Sequence, residues 1–224
     1  MNDSGWWVAD LMASNPAMLV SWVVWVIGSI VLHELAHGWA AIHRGDRTPI
    51  ETGHMTWNPL VHMGGMSLLM FALIGIAWGA MPVNTYRLRG RHADAFVAAA
   101  GPAMNLGLAL VSMVLGGIWL AFASGLSDPF FSNVATFFFA GVFLNVFLAG
   151  LNLLPVPPLD GGRILASFSP TVRGWMDRPQ AMMIATIAAI FVIFSFGGKL
   201  WGPVMDFAAG GIRFVAGMLG WTPA

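Results

Sequence analysis

The stretch PAMLVSWVVWVIGSIVLHELAHGWAAI, residues 16–42, decides how the rest of the chain is read. It holds no Lys, Arg or Asp and a single Glu, and it is longer than the roughly 20 helical residues needed to cross a hydrocarbon core of about 30 Å. Nothing elsewhere in the sequence offers a soluble exterior to surround it. Of 224 residues, 58% are hydrophobic and 9% charged, with a mean hydropathy of +0.75, whereas a soluble domain carries about 25% charged residues. The composition implies an α-helical polytopic membrane protein with the lipid bilayer as its surroundings. Ten basic and ten acidic residues cancel, which excludes nucleic acid as an electrostatically captured partner. With no cysteine, disulfide frameworks, thiolate sites and iron–sulfur clusters are excluded, and any metal must be held by His, Asp or Glu.

Working outward, further apolar runs cover 93–123, 130–154, 180–196 and, with glycine interruptions, 200–221. The organisation expected is a single domain over 1–224, with a three-helix catalytic core at about 16–165 and C-terminal helices at about 180–222. No Lys or Arg precedes Arg44, so the first run lacks the basic flank of a cleavable signal and is expected to be retained. Arg44 and Arg47 follow the first run; Arg87, Arg89 and Arg91 precede the second; Arg163, Arg173 and Arg178 follow the third. The positive-inside tendency puts all three clusters on the cytoplasmic face. Parity then makes the short apolar segment 67–79 a membrane re-entrant element, the alternative being a short tilted pass. Backbone that dips into a bilayer must be covered by protein or line a wet cavity.

His33 and His37 within HELAH are one helical turn apart on one face, a spacing that lets both imidazoles hold one metal ion. Glu34 beside them is placed to accept a proton from water at that metal. Ionisable groups inside an apolar helix are costly and mark functional sites. A catalytic zinc needs three protein ligands. His43 follows HELAH at a metzincin-like spacing, but Ala40 stands where that pattern has its turning Gly, and on an unbroken helix His43 lies about 120° from His37. Glu51, His54 and His62 lie in the polar stretch beyond, with no spacing that recommends one of them. Asp160 ends a long apolar helix in NLLPVPPLDGGR, with Asn152 eight residues earlier in the same helix; Pro155, Pro157 and Pro158 break that helix, and Gly161 and Gly162 permit a tight turn or close approach. A turn cap or a pair with Arg163 is the other use for that carboxylate. GPAMN at 101–105 falls near the same depth on the antiparallel second run. Asn105 there is suited to bridging helices or holding a substrate backbone, and Asn152 to meeting a scissile carbonyl.

HELAH, GPAMN and NLLPVPPLDGGR, in this order and orientation, resemble the site-2 proteases, a family of zinc-dependent intramembrane metalloproteases, in their compact prokaryotic form without a PDZ domain. The resemblance covers about 24–165, including WNPL and MPVN. It implies one zinc ion held by His33, His37 and Asp160, Glu34 as catalytic base, Asn152 in contact with substrate, and a re-entrant β-element after the first helix. The activity implied is hydrolysis of a peptide bond within or near a transmembrane segment of a protein or peptide substrate. The protein would be a multi-pass protein of the cell membrane with its active site toward the cytoplasm. For an extended substrate, 52–57 or 80–84 is the expected edge for strand addition. A membrane metal-ion transporter or metal-binding module using the same His and Asp cluster is the competing class, and it would have little need of Glu34 as a base.

Overall fold

The computed structural model describes residues 5–222. A short amphipathic helix α1 (Trp7–Ser14) leads into α2 (Pro16–His43), whose start is set by Pro16 at the first position and the Asn15 side chain accepting from Met18 N at 3.0 Å. Both devices suit the helix N-terminus, where backbone N–H groups lack partners. A one-turn α3 (Thr48–Glu51) follows, and then α4 (Pro59–Ile74), again opened by an Asn–Pro pair. Gly64 interrupts α4 with φ 68° and ψ 166°, and Gly75 ends it in the left-handed region. Two long antiparallel helices, α5 (Ala93–Phe122) and α6 (Phe130–Asn152), come next, then the short α7 (Asp160–Phe168) and α8 (Pro170–Met176), and finally α9 (Pro179–Met218).

By length and composition α2, α5 and α6 can each cross a membrane, and they pack against one another as a three-helix core. Their inner faces contribute Val26, Ile30, Val142, Phe143 and Leu144 to the buried centre, joined by Met63 and Phe71 of α4 and Ala208 and Ile212 of α9. Their outer faces stay apolar. Along α5, Leu106, Leu110, Val111, Leu115 and Phe122 are all exposed, a continuous apolar surface that water would not tolerate and lipid tails do.

Three expectations change. The C-terminal segment is one 40-residue helix rather than separate runs; Pro203 lies inside it, and its second half seats Ala208, Ile212 and Ala216 in the core. Small residues on the facing helix permit that approach, since a Cβ on Gly117 would meet Val215 Cβ at 2.5 Å. The β-element expected over 67–79 is, among the described residues, the second part of α4 followed by an irregular strap, 75–84, with no strand pairing. Gly75 turns the chain there, and the strap is held by side chains instead of a ladder. Finally, Asp160 and Asn152 do not share a helix. Asn152 is the last residue of α6, while Asp160 opens α7 after the proline break. The backbone of Leu153 and Leu154 lies where a Cβ on Gly161 would stand.

Candidate metal centre

Three core elements meet at one end of the bundle. His33, Glu34 and His37 come from α2, Asp160 from the first turn of α7, and α5 crosses them at Gly101. All four ionisable groups are buried. A Cβ on Gly101 would stand 2.5 Å from His33 Nε2 and closer still to His37 Nε2, so the imidazoles occupy the space that the absent side chain leaves. They line a cavity of about 470 Å³ whose walls include Ile30, Asn105, Leu148, Asn152 and the strap residues 77–81.

The hydrogen bonds made by the far side of each ring dictate what the near side presents. His37 Nδ1 lies 2.7 Å from Val97 O, a carbonyl that only accepts, so Nδ1 carries the proton. His33 Nδ1 lies 2.6 Å from Asn105 Oδ1 and donates in the same way. In neutral imidazoles both Nε2 atoms are then bare lone pairs, yet they face each other at 3.0 Å. Asp160 Oδ2 stands 3.2 Å from one and 3.3 Å from the other, and that buried oxygen has no hydrogen-bond partner among the described residues. Three electron-pair donors this close repel unless a cation lies among them. Tetrahedral zinc with bonds of about 2.0–2.1 Å would separate its ligands by about 3.3 Å, which the observed spacings match. The donor set, two imidazoles and a carboxylate, is that of a catalytic zinc with one position left open.

Of the other candidates, none joins this cluster. His43 is exposed and faces Phe96, with ring centroids 6.1 Å apart. Glu51 pairs with Arg87 at 2.6 Å on the surface. His54 Nδ1 is bonded to Thr52, and His62 Nε2 donates to Thr56 O at 2.7 Å. Arg163 pairs with Asp94 at 2.9 Å, which leaves Asp160 to the histidines.

The strap forms the opposite wall. Ser67 Oγ donates to Trp78 O at 2.7 Å and accepts from Trp78 N at 2.9 Å; Ala80 N donates to His62 O at 2.9 Å. Between these anchors Gly79 lies against Glu34, where a Cβ would be 2.6 Å from Oε1. The backbone amides of Ala77, Gly79 and Met81 have no partner among the described residues. At the strap's far end the fully buried Asp46 accepts from Asn84 N at 2.7 Å and from Thr48 N and Oγ1 at 3.0 and 2.6 Å. Burial alone would raise its pKa; the bonds from Thr48 and Asn84, with Arg87 nearby, outweigh that and hold the carboxyl below its ordinary range. Asp46 was not legible in the sequence as an anchor of the strap, because the donor that ties it there, Asn84 N, is distant along the chain.

A buried His–His–carboxylate centre among membrane-spanning helices defines a class, the membrane-embedded metallopeptidases. Comparison with known proteins agrees. The model of peptidase family M50 matches residues 115–196, a region that includes Asn152 and Asp160. The chain is 33% identical over 182 residues to "Putative zinc metalloprotease YwhC" of Bacillus subtilis, covering 80% of this chain and 83% of that protein. It is 35% identical over 167 residues to "Putative zinc metalloprotease Rip2" of Mycolicibacterium smegmatis, covering 70% and 61%, and 31% identical over 143 residues to "Putative zinc metalloprotease MJ0611" of Methanocaldococcus jannaschii, covering 62% and 66%. No solved structure gives a significant match. The chain belongs to peptidase family M50, the site-2 proteases, and is a zinc metalloprotease.

Proposed function

We propose that the protein hydrolyses a peptide bond within or near a transmembrane segment of a membrane-protein substrate, with His33, His37 and Asp160 as zinc ligands and Glu34 as general base. The observation that carries this reading is the convergence of two bare Nε2 atoms and an unpartnered carboxylate oxygen in a cavity that also holds Glu34. Zinc bound there supplies Lewis acidity, bringing the pKa of a water toward about 7 and polarising a carbonyl. The chain's own part is proton movement and alignment. Glu34, pressed between α2 and Gly79, accepts the proton of the attacking water and returns it to the leaving amine. General acid–base catalysis of this kind contributes about 10²–10⁴-fold.

A helical substrate hides its carbonyls in its own hydrogen bonds, so the scissile segment must unwind. The unpartnered amides of Ala77, Gly79 and Met81 offer it a new partner by strand addition. This moves the edge from those expected from the sequence, since 52–57 is made of turns and bends and only Met81 of the three falls within 80–84. Asn152 spends its Nδ2 on Leu148 O at 3.0 Å, which leaves Oδ1 for a substrate N–H. Next to the metal cavity, an apolar cavity of about 540 Å³ shares Ile30, Ala77, Leu148 and Leu151 with it and suits the apolar side chains of such a segment. The cell membrane as location, and a cytoplasmic active site, are supported by the arginine clusters. Arg89 N bonds Arg44 O at 2.7 Å and Arg163 reaches Asp94, so the three clusters gather at one end of the bundle, beside the metal centre. The chain between 47 and 87 leaves and returns at that end, as a re-entrant segment does.

The test is metal content together with cleavage of a transmembrane reporter by the purified protein. Asp160→Ala is expected to lose both zinc and activity. Glu34→Gln is expected to keep stoichiometric zinc and lose at least about 100-fold in rate. Undiminished cleavage by Glu34→Gln would remove it as the base, while absence of cleavage by the zinc-loaded natural protein would favour a metal-transport role.

A further inference from the structure

Asn105 and Asn145 are both fully buried in the middle of apolar helices, where an unsatisfied amide is costly. Asn105 lines the metal cavity, and Asn145 is not among its lining residues. They are joined: Asn105 Nδ2 donates to Asn145 Oδ1 at 2.9 Å, and Asn145 Nδ2 donates to Gly141 O at 2.9 Å. Oxygen and nitrogen of an amide are ordinarily exchangeable by a flip, but this line has one fixed end. Gly141 O is a backbone carbonyl and can only accept. It therefore requires Asn145 to present Nδ2 to it and Oδ1 to α5. That oxygen requires Nδ2 from Asn105, which turns Asn105 Oδ1 toward His33 Nδ1, 2.6 Å away.

We infer that the line Gly141–Asn145–Asn105 sets the tautomer of His33, placing the proton on Nδ1 and the lone pair of Nε2 toward the metal, so that Asn105 and Asn145 are positioning residues for the first ligand. This rests on the zinc reading of the site. His37 has its tautomer set directly by Val97 O; His33 has no backbone carbonyl beside it and borrows one from α6 through two amides. The line runs through all three core helices, α6, α5 and α2, so the packing of the bundle and the orientation of a ligand are one arrangement. Partners behind metal-bound histidines are worth about 10–100-fold in metal affinity. Asn145 belongs to none of the sequence motifs, and its link to the metal passes through a residue on another helix.

The experiment measures zinc affinity by chelator competition, and the visible absorption of the cobalt-substituted protein, on full-length protein in detergent. Asn105→Leu is expected to weaken zinc by about 10–100-fold and Asn145→Leu by about 10-fold. Asn145→Ala carries the same expectation where leucine is not accommodated. In Asn105→Asp both terminal atoms are oxygens, so the acceptor facing His33 no longer depends on Asn145. Adding Asn145→Leu to Asn105→Asp should then leave affinity and cobalt spectrum nearly unchanged. Equal losses from Asn145→Leu in both backgrounds would reduce Asn145 to packing and overturn the inference. So would an unaltered affinity and spectrum in Asn105→Leu accompanied by a raised KM, which would make Asn105 a substrate contact. Failure of the unsubstituted protein to bind zinc at all would instead overturn the zinc reading itself.

Discussion

The two walls of the active cavity are made by different means. On one side, α2, α5 and α7 bring the histidines and Asp160 together on helices whose backbone groups are already paired, and side chains tune only ring orientation. On the other side, the strap 75–84 has no regular structure, and Ser67, His62 O and Asp46 supply what a helix or sheet would otherwise provide. A metal centre needs positions held to fractions of an ångström, which helices give. A surface that receives an unwound peptide needs unpaired backbone groups, which a helix cannot expose in its interior. The difference in construction follows from the difference in task.

The sharpest way to break this comparison is to add one methyl group to each wall. Gly101→Ala pushes a Cβ into both imidazoles, and zinc affinity is expected to fall by more than about 10-fold, with activity following it. Gly79→Ala pushes a Cβ into Glu34 and Ile30; zinc affinity should stay while kcat falls about 10-fold or more, because general-base geometry is disturbed. Chelator competition and cleavage kinetics on the same preparations separate the two. If Gly79→Ala lost zinc, the strap would belong to the metal wall.

A smaller effect is expected from Ser67→Ala. It leaves the N–H and C=O of Trp78 without their partner, at a local cost of about 1–3 kcal/mol. KM for a membrane substrate should rise while zinc affinity and the rate at saturation change little. An unchanged KM would show that the strap's position does not matter to substrate.

The smallest is a pH effect at the strap's far anchor. Because the carboxyl of Asp46 is held below its ordinary range in the folded loop, its ionised form favours the bound loop at every pH above the ordinary carboxylate value, about 3.9. That contribution declines as pH falls below this value toward the lowered folded one. Amide protection at 44–48 and 84–89, measured relative to the intrinsic exchange rate at each pH, should therefore fall on acidification in the natural protein. In Asp46→Asn protection should be lower at neutral pH and lose that acid-dependent step, and an identical acid profile in both would assign the effect elsewhere.

Much of this was legible in the chain itself. Residues 16–42 announce a membrane helix by length, HELAH announces a two-histidine face by the helical repeat, and the three-proline break announces that α6 ends before Asp160, which itself opens α7. These signals are local: each depends on the period of one element or on the stereochemistry of Pro and Gly. Hydropathy alone did not reveal that Pro179–Met218 is one helix, since Gly and Pro that interrupt a hydropathy run can still lie within a helix packed against α5 and α6. Nor did it distinguish helix from strand over 67–79, where a short apolar run fits either.

What the sequence determined by itself is therefore the membrane class, the metal chemistry and the residues available for it, because composition and short-range spacing fix those before any folding. What the tertiary structure decided is how the residues are shared out. Arg163 went to Asp94 and left Asp160 free, Asn105 turned to His33 and Asn145, and Asp46 and Ser67 took hold of the strap. Those pairings join residues up to 72 positions apart. A buried polar group takes whichever partner the packing of three helices leaves within about 3 Å, and that is set by the fold as a whole.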